Sequence, residues 1–245
     1  MDRIERYKSR FTLIELLAVV ALISLLMAIG VPAFSRMIRG SRVDECARNI
    51  KLGLEQAQMR AASERRYVAV IFPNGSDTAV TDKLHTYRLG GFRTAYVKKN
   101  GTGTGTAYDF VGWVDGSDWR NAPNGAILTR IDTSKFTTES NGDVTGCTAK
   151  ATDALKGATG SLKSLSGVKD DDGATDLEAG ANTALIFTPY GEVVSTSKLY
   201  LLVSEAVVEG DDIKYPTAGT NGSGRTSNYK VLKINNLTGR VEFYE

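Results

Sequence analysis

The chain has 245 residues and a net charge of +2, with one histidine and two cysteines. That length suits an anchor plus one domain, or two small domains, and the charge offers no global basic field for nucleic acid. A lone His85 leaves no histidine-built metal site and no Ser/His/Asp triad, and Cys46 and Cys147 do not form a CxxC pair. No nucleophile, base and orienting group can be nominated together, so the expectation is a non-enzyme without a cofactor or metal.

Residues 1–10, MDRIERYKSR, carry Arg3, Arg6, Lys8 and Arg10 against Asp2 and Glu5. They precede Phe11–Val31, FTLIELLAVVALISLLMAIGV, 21 residues in which only Thr12, Glu15 and Ser24 are strongly polar. A helix needs roughly 20 apolar residues to cross a bilayer, so a transmembrane helix is predicted over 11–32. A carboxylate at a bilayer centre costs on the order of 2.5 to 3.5 kcal/mol. Glu15 lies near one end of the span, where it stays close to headgroups, and in an assembly it needs a cation. The apolar run exceeds the 7 to 15 residues usual for a secretory signal, and no small-x-small site closes it. An uncleaved signal anchor bearing a binding domain is the alternative.

Pro32 removes one backbone donor and predicts a kink. Beyond it Val43, Cys46, Ala47, Ile50, Leu54, Ala57 and Ala61 recur at spacings of three and four. They draw one apolar stripe along an amphipathic helix over 33–66. The period then falls to two. Strands are expected at 67–72, 84–89, 93–97, 108–114, 126–131, 183–188, 199–208 (the longest), 229–234 and 240–244, separated by Gly, Pro and Asn turns. About nine strands behind one helix make an α+β domain over 67–245. Between 132 and 182 Thr, Ser, Gly, Asp and Ala dominate, which predicts a long-loop insertion with one short helix near 151–156.

Other clusters read blandly. Asp170, Asp171, Asp172, Asp176 and Glu178 carry enough oxygens for calcium, but their spacing is not that of an EF-hand, and a solvated acidic loop is expected. The run from Gly101 to Thr106 lacks phosphate-loop spacing and reads as a hairpin tip. Asn236-Leu237-Thr238 matches a glycosylation sequon and reads as turn chemistry. Arg39, Arg42, Arg48, Lys51, Arg60, Arg65 and Arg66 make the helix basic. A solvated face or subunit contact is expected, with DNA contact as the sharper reading, to which Lys214, Arg225, Lys230, Lys233 and Arg240 would add.

A short basic leader followed by FTLIELL and an apolar run resembles a type IV prepilin or type II secretion pseudopilin. The resemblance covers residues 8 to about 40 and implies a type IV pilin-like fold, a long N-terminal helix on an antiparallel sheet. It implies cleavage by prepilin peptidase between residues 10 and 11 and N-methylation of Phe11. The family's helix-kinking proline falls on Pro32. Its glutamate falls on Glu15, pairing with the terminal ammonium of a neighbouring subunit. Position 10 is Arg where the family pattern has Gly. A second, shorter resemblance lies in Ile186-Phe-Thr-Pro-Tyr-Gly-Glu192 and Lys233-Ile-Asn-Asn-Leu-Thr-Gly-Arg-Val241. It is similar to the H-type minor pseudopilin and fimbrial-T-like group.

These resemblances imply a structural minor subunit, single-pass in a bacterial inner membrane with residues 67–245 in the periplasm. Its partners would be other pilin or pseudopilin subunits, prepilin peptidase and an inner-membrane assembly platform. The runner-up is a DNA-binding pilin for DNA uptake. A periplasmic location also permits a Cys46–Cys147 disulfide, worth roughly 3 to 5 kcal/mol for so long a loop. A buried free thiol on the apolar stripe is the equal alternative.

Overall fold

The computed structural model describes residues 12–73, 87–101, 107–136, 144–147, 150, 155, 162–169, 182–210, 212–218 and 224–244, leaving out several side chains, those at 30–36 and 39 among them. The chain divides into two compact units, residues 1–39 and 40–245. The single helix among the described residues, α1 (Leu13–Glu64), contributes to both.

Helix α1 ends where Arg65 takes a left-handed conformation at φ 54°. The Arg66 N–H then donates back to the Ala61 carbonyl at 3.2 Å, closing the last turn. Glycine commonly holds this place because a Cβ is penalised there. The chain reverses into β1 (Tyr67–Pro73), which pairs antiparallel with β2 (Arg93–Asn100) and with β7 (Asn182–Phe187). Strand β2 continues to β3 (Ala107–Trp113), β3 runs parallel to β6 (Lys163–Ser166), and β6 returns to β7. The ring of five strands is closed.

A second sheet has the order β14-β13-β8-β4, from β4 (Ala126–Asp132), β8 (Leu199–Glu205), β13 (Tyr229–Ile234) and β14 (Val241–Tyr244). Two small sheets complete the unit. One joins β9 (Val207–Glu209) to β10 (Asp212–Lys214), and the other joins β5 (Val144–Cys147) to β12 (Gly224–Thr226) and β11 (Thr217–Ala218). The domain is α+β.

The core explains why the strands read as unbroken apolar runs. Val43, Cys46, Ala47, Ile50, Leu54, Ala57 and Ala61 of α1 share one cluster with Val68, Val70 and Phe72 of β1 and with Leu199, Leu201 and Val203 of β8. Ala69 and Ile71 of β1 join Ala95, Tyr108, Leu165 and Ile186 in a second cluster inside the ring. Strand β1 is thus buried on both faces, so Val-Ala-Val-Ile-Phe shows no polar alternation. Strand β8 repeats the device. Its other face, Tyr200 and Leu202, is covered by Val144, Cys147 and Val231.

Three expectations change. Strand 84–89 is replaced where it is described: Tyr87–Gly90 is a turn, and the Gly91 N–H reaches the Tyr87 carbonyl at 2.7 Å. Strand 199–208 breaks at Ala206, whose N–H leaves the ladder for the Gly125 carbonyl at 3.2 Å; with 8 residues β2 is longer than β8, with 7. The 132–182 insertion is not loops throughout. Strand β6 closes the ring and β5 roofs the second sheet. Of the helix expected at 151–156 only Leu155 is described, and it is buried in the main core.

The helix end offers a test. Arg65→Gly removes the Cβ penalty of the left-handed position, roughly 1 kcal/mol. The full-length variant in detergent should be more stable by about that amount in urea unfolding, with an unchanged slope.

Candidate functional site

The N-terminal end of α1 is built from Thr12 and Glu15. The Thr12 N–H and Oγ1–H both donate to Glu15 Oε2 at 2.9 Å. The Glu15 N–H donates to Thr12 Oγ1 at 3.3 Å. With Leu13 as the first helical residue, this is a capping box: a hydroxyl at the cap and a carboxylate three residues on satisfy each other's backbone donors. The sequence carries it openly as Thr-x-x-Glu, a spacing that signals a helix start, yet the sequence reading took Glu15 only as an assembly residue. Arg10 and Phe11, the processing and methylation residues, lie outside the described residues. The backbone is helical through Pro32, whose side chain is not described.

Beyond the cap the helix is apolar all round and uncovered. From Leu13 to Ile29 its large side chains are 47% to 78% exposed. The one further polar side chain, Ser24, donates to the Val20 carbonyl at 2.8 Å, inside its own helix. Among the described residues no helix is long and apolar enough to cross a membrane.

A second constellation joins the two segments singled out in the sequence near its far end. Gln58 of α1 donates through Nε2 to the Thr238 carbonyl at 2.5 Å and to the Gly191 carbonyl at 3.4 Å. Gly191 (φ 83°) and Gly239 (φ 65°) are both left-handed. A Cβ on Gly239 would run into the Gly191 carbonyl oxygen and the Gln58 amide. Around them the Val193 N–H donates to the Asn236 carbonyl at 2.8 Å, and Asn236 Nδ2 to the Ser195 carbonyl at 3.3 Å. The Phe-Thr-Pro-Tyr-Gly turn and the Thr-Gly-Arg turn therefore interlock on one helix residue. Tyr190 and Leu237 project from this joint at 87% and 71% exposure.

The cysteines do not form a disulfide. Both thiols are free and buried, Cys46 in the helix core and Cys147 under the second sheet. Desolvation, with Glu45 adding to it, pushes the Cys46 thiol up to about 12. Desolvation likewise raises Cys147 to about 11.

Many of the basic residues are engaged within the chain. Lys51 pairs with Glu55 at 3.5 Å, Arg60 with Glu64 at 3.0 Å, Lys230 with Asp44 at 3.4 Å and Arg240 with Glu242 at 3.0 Å. Arg66 stacks over Tyr96, and Arg42 donates to the Asn124 carbonyl. Among the described residues these charges of mixed sign, engaged with one another, give no single-sign stripe for a phosphate backbone to follow. Among the described residues no three His, Cys, Asp or Glu side chains gather around a metal-sized space. His85 and the acidic run of Asp170, Asp171, Asp172, Asp176 and Glu178 lie outside them.

Neither a family model nor a curated relative matches the sequence. Among solved structures, two crystal forms of the type IV minor pilin FimU of Pseudomonas aeruginosa are similar. The P21 form has 13% identity and a TM-score of 0.35 over 84% of this chain and 90% of that one. The P65 form has 13% identity and a TM-score of 0.34 over 82% and 92%. At that level neither family nor function passes from FimU to this chain.

Two expectations follow from the geometry. Gly239→Ala meets a backbone oxygen that cannot rotate away and also strains a left-handed φ, so unfolding in urea should show a loss of about 3 kcal/mol. The folded chain holds the Cys46 proton more tightly than the unfolded chain does. Its contribution to stability is therefore complete below about pH 9 and is lost as pH rises from 9 toward 12. At pH 8 a thiol-exchange reagent should label Cys46 and Cys147 only after the domain unfolds.

Proposed function

We propose that the chain is a non-enzymatic filament subunit, a minor pilin or pseudopilin, processed before Phe11 and assembled through the first half of α1. The observation that carries this reading is the Leu13–Ile29 surface, apolar on every side and uncovered, headed by Thr12 and Glu15 within FTLIE. Burying one such Leu or Ile stabilises by about 1.5 to 3 kcal/mol, so three of them already outweigh roughly 2.5 to 3.5 kcal/mol for a buried carboxylate. Such a surface needs a cover in every state of the protein. Lipid supplies it before assembly, and the same half-helices of neighbouring subunits supply it in a filament core.

Along the sequence the apolar stretch runs from Phe11 to Val31, 21 residues, enough to span a bilayer. Before assembly Glu15 is satisfied by Thr12 within its own chain. In a filament it turns to the terminal ammonium of the neighbouring subunit, which neutralises both charges and sets the axial register. Residues 67–245 then face the periplasm and the filament exterior. The finer assignment, to the H-type and fimbrial-T-like minor subunits of a secretion or pilus machine, is supported by the two turn sequences that meet at Gln58. Prepilin peptidase and an inner-membrane platform are the partners this reading requires.

Intact-mass measurement and N-terminal sequencing of the protein from membranes, with and without prepilin peptidase, test it. The expected mature chain begins at methylated Phe11 only when the peptidase is present. Retention of residues 1–10 in both cases leaves an uncleaved signal anchor instead. In cells that pass this test, Glu15→Gln should leave membrane levels unchanged while abolishing recovery in sheared filaments.

A further inference from the structure

The side of α1 that faces the end of β3 carries charge that the filament reading does not use. A cleft of about 100 Å³ opens there, lined by Gly53, Gln56 and Arg60 of α1 and by Arg93, Asp118 and Arg120. A space of that size admits a small oxyanion such as a carboxylate or a phosphate group.

Its three guanidinium groups are held in place from behind. Arg93 is buried, lies 4.1 Å from the centre of the Trp113 ring and donates through Nε to the Ser117 carbonyl at 2.8 Å. Arg120 donates through Nη2 to Gln56 Oε1 at 2.8 Å and sits 6.0 Å from the Phe92 ring centre. Arg60 is fixed through Nε to Glu64 at 3.0 Å and through Nη1 to the Asp115 carbonyl at 3.4 Å. A guanidinium has five N–H donors in a fixed fork, so the contacts that orient Arg60 and Arg120 leave donors of each for a ligand. Among the described residues lining the cleft, Asp118 is the one carboxylate. Three guanidinium groups line the cleft against Asp118 in the lining and Glu64 behind Arg60, and the remaining N–H donors of Arg60 and Arg120 favour an anion there. Pre-oriented guanidinium forks favour one with paired oxygens.

We infer that this cleft binds an oxyanion, a carboxylate or phosphate group, with Arg60 and Arg120 as donors and Arg93 as the buried charge behind them. Asp118 weakens the binding and limits it to anions that outcompete its own carboxylate. The inference is independent of filament assembly.

Both tryptophans of the chain are at this place. Trp113 lies against Arg93, and Trp119 is 5.5 Å from it, so intrinsic fluorescence reports on the cleft. The full-length protein in detergent is titrated with sodium phosphate and, separately, with N-acetyl-glutamate amide, each against sodium chloride of equal ionic strength. A saturable change beyond the chloride control is expected with at least one probe. It should weaken about tenfold in Arg120→Gln and in Arg60→Gln, the effect of losing one charge-assisted hydrogen bond, and tighten several-fold in Asp118→Asn. Saturation by phosphate alone names a free phosphate as the group; saturation by the glutamate analogue names a side chain of a partner protein. The inference is overturned if both probes follow chloride, or if the arginine variants bind as tightly as the parent. If the arginine variants fail to fold by circular dichroism, Asp118→Asn decides, and an unchanged affinity in it overturns the inference.

Discussion

One stripe of α1, from Val43 to Ala61, shares a single buried cluster with residues of both large sheets. The stripe is made small on purpose at several points. Cys46, Ala47, Ala57 and Ala61 let strands approach, and Gly53 leaves the space that the Phe92 ring fills. Larger side chains there would hold the sheets off the helix and open the contacts of Val68, Val70 and Phe72 on one side and of Leu199 and Leu201 on the other. Interiors at crystal-like density transmit such a change rather than absorb it.

The same helix handles its polar groups in two ways. In the second half, charged side chains sit beside the stripe and find carboxylates or rings of the domain. In the first half every described polar side chain is answered within the helix itself, Thr12 with Glu15 and Ser24 with the Val20 carbonyl. Self-sufficiency of that kind lets a surface pass between a lipid and a protein environment without stranding a donor. Glu15 is thus already satisfied by Thr12 within its own chain.

Much of this was legible in the residues. The three-and-four spacing of the stripe marked the buried face of α1, and seven of the strands fell near their expected places because β-rich runs ended at Gly, Pro or Asn. What was not legible depends on contacts remote in sequence. Nothing local in Lys163–Ser166 says that this short polar stretch closes a ring, and nothing in Val144–Cys147 says that it roofs a second sheet. Strand 199–208 was read as one because no Gly, Pro or Asn interrupts it, yet at Ala206 the Gly125 carbonyl just before β4 draws the N–H out of line. At the N-terminal end the signal was present as Thr-x-x-Glu and was overlooked beneath a larger pattern. The arginine cleft had no signal, since Arg60, Arg93 and Arg120 share neither a spacing nor an element.

The Gln58 joint spans 180 residues of sequence, from near the C-terminal end of α1 to Thr238. A ribosome makes the helix before the Thr-Gly-Arg turn. During the interval between them the stripe has no complete cover, and contacts closed over such distances form slowly. The core is therefore unfinished while the residues between Gln58 and Thr238 are being made. A holding factor that shields apolar surface would find its longest window here, and a chain cut short before residue 239 would lack the one turn that pins both sheets' ends to the helix.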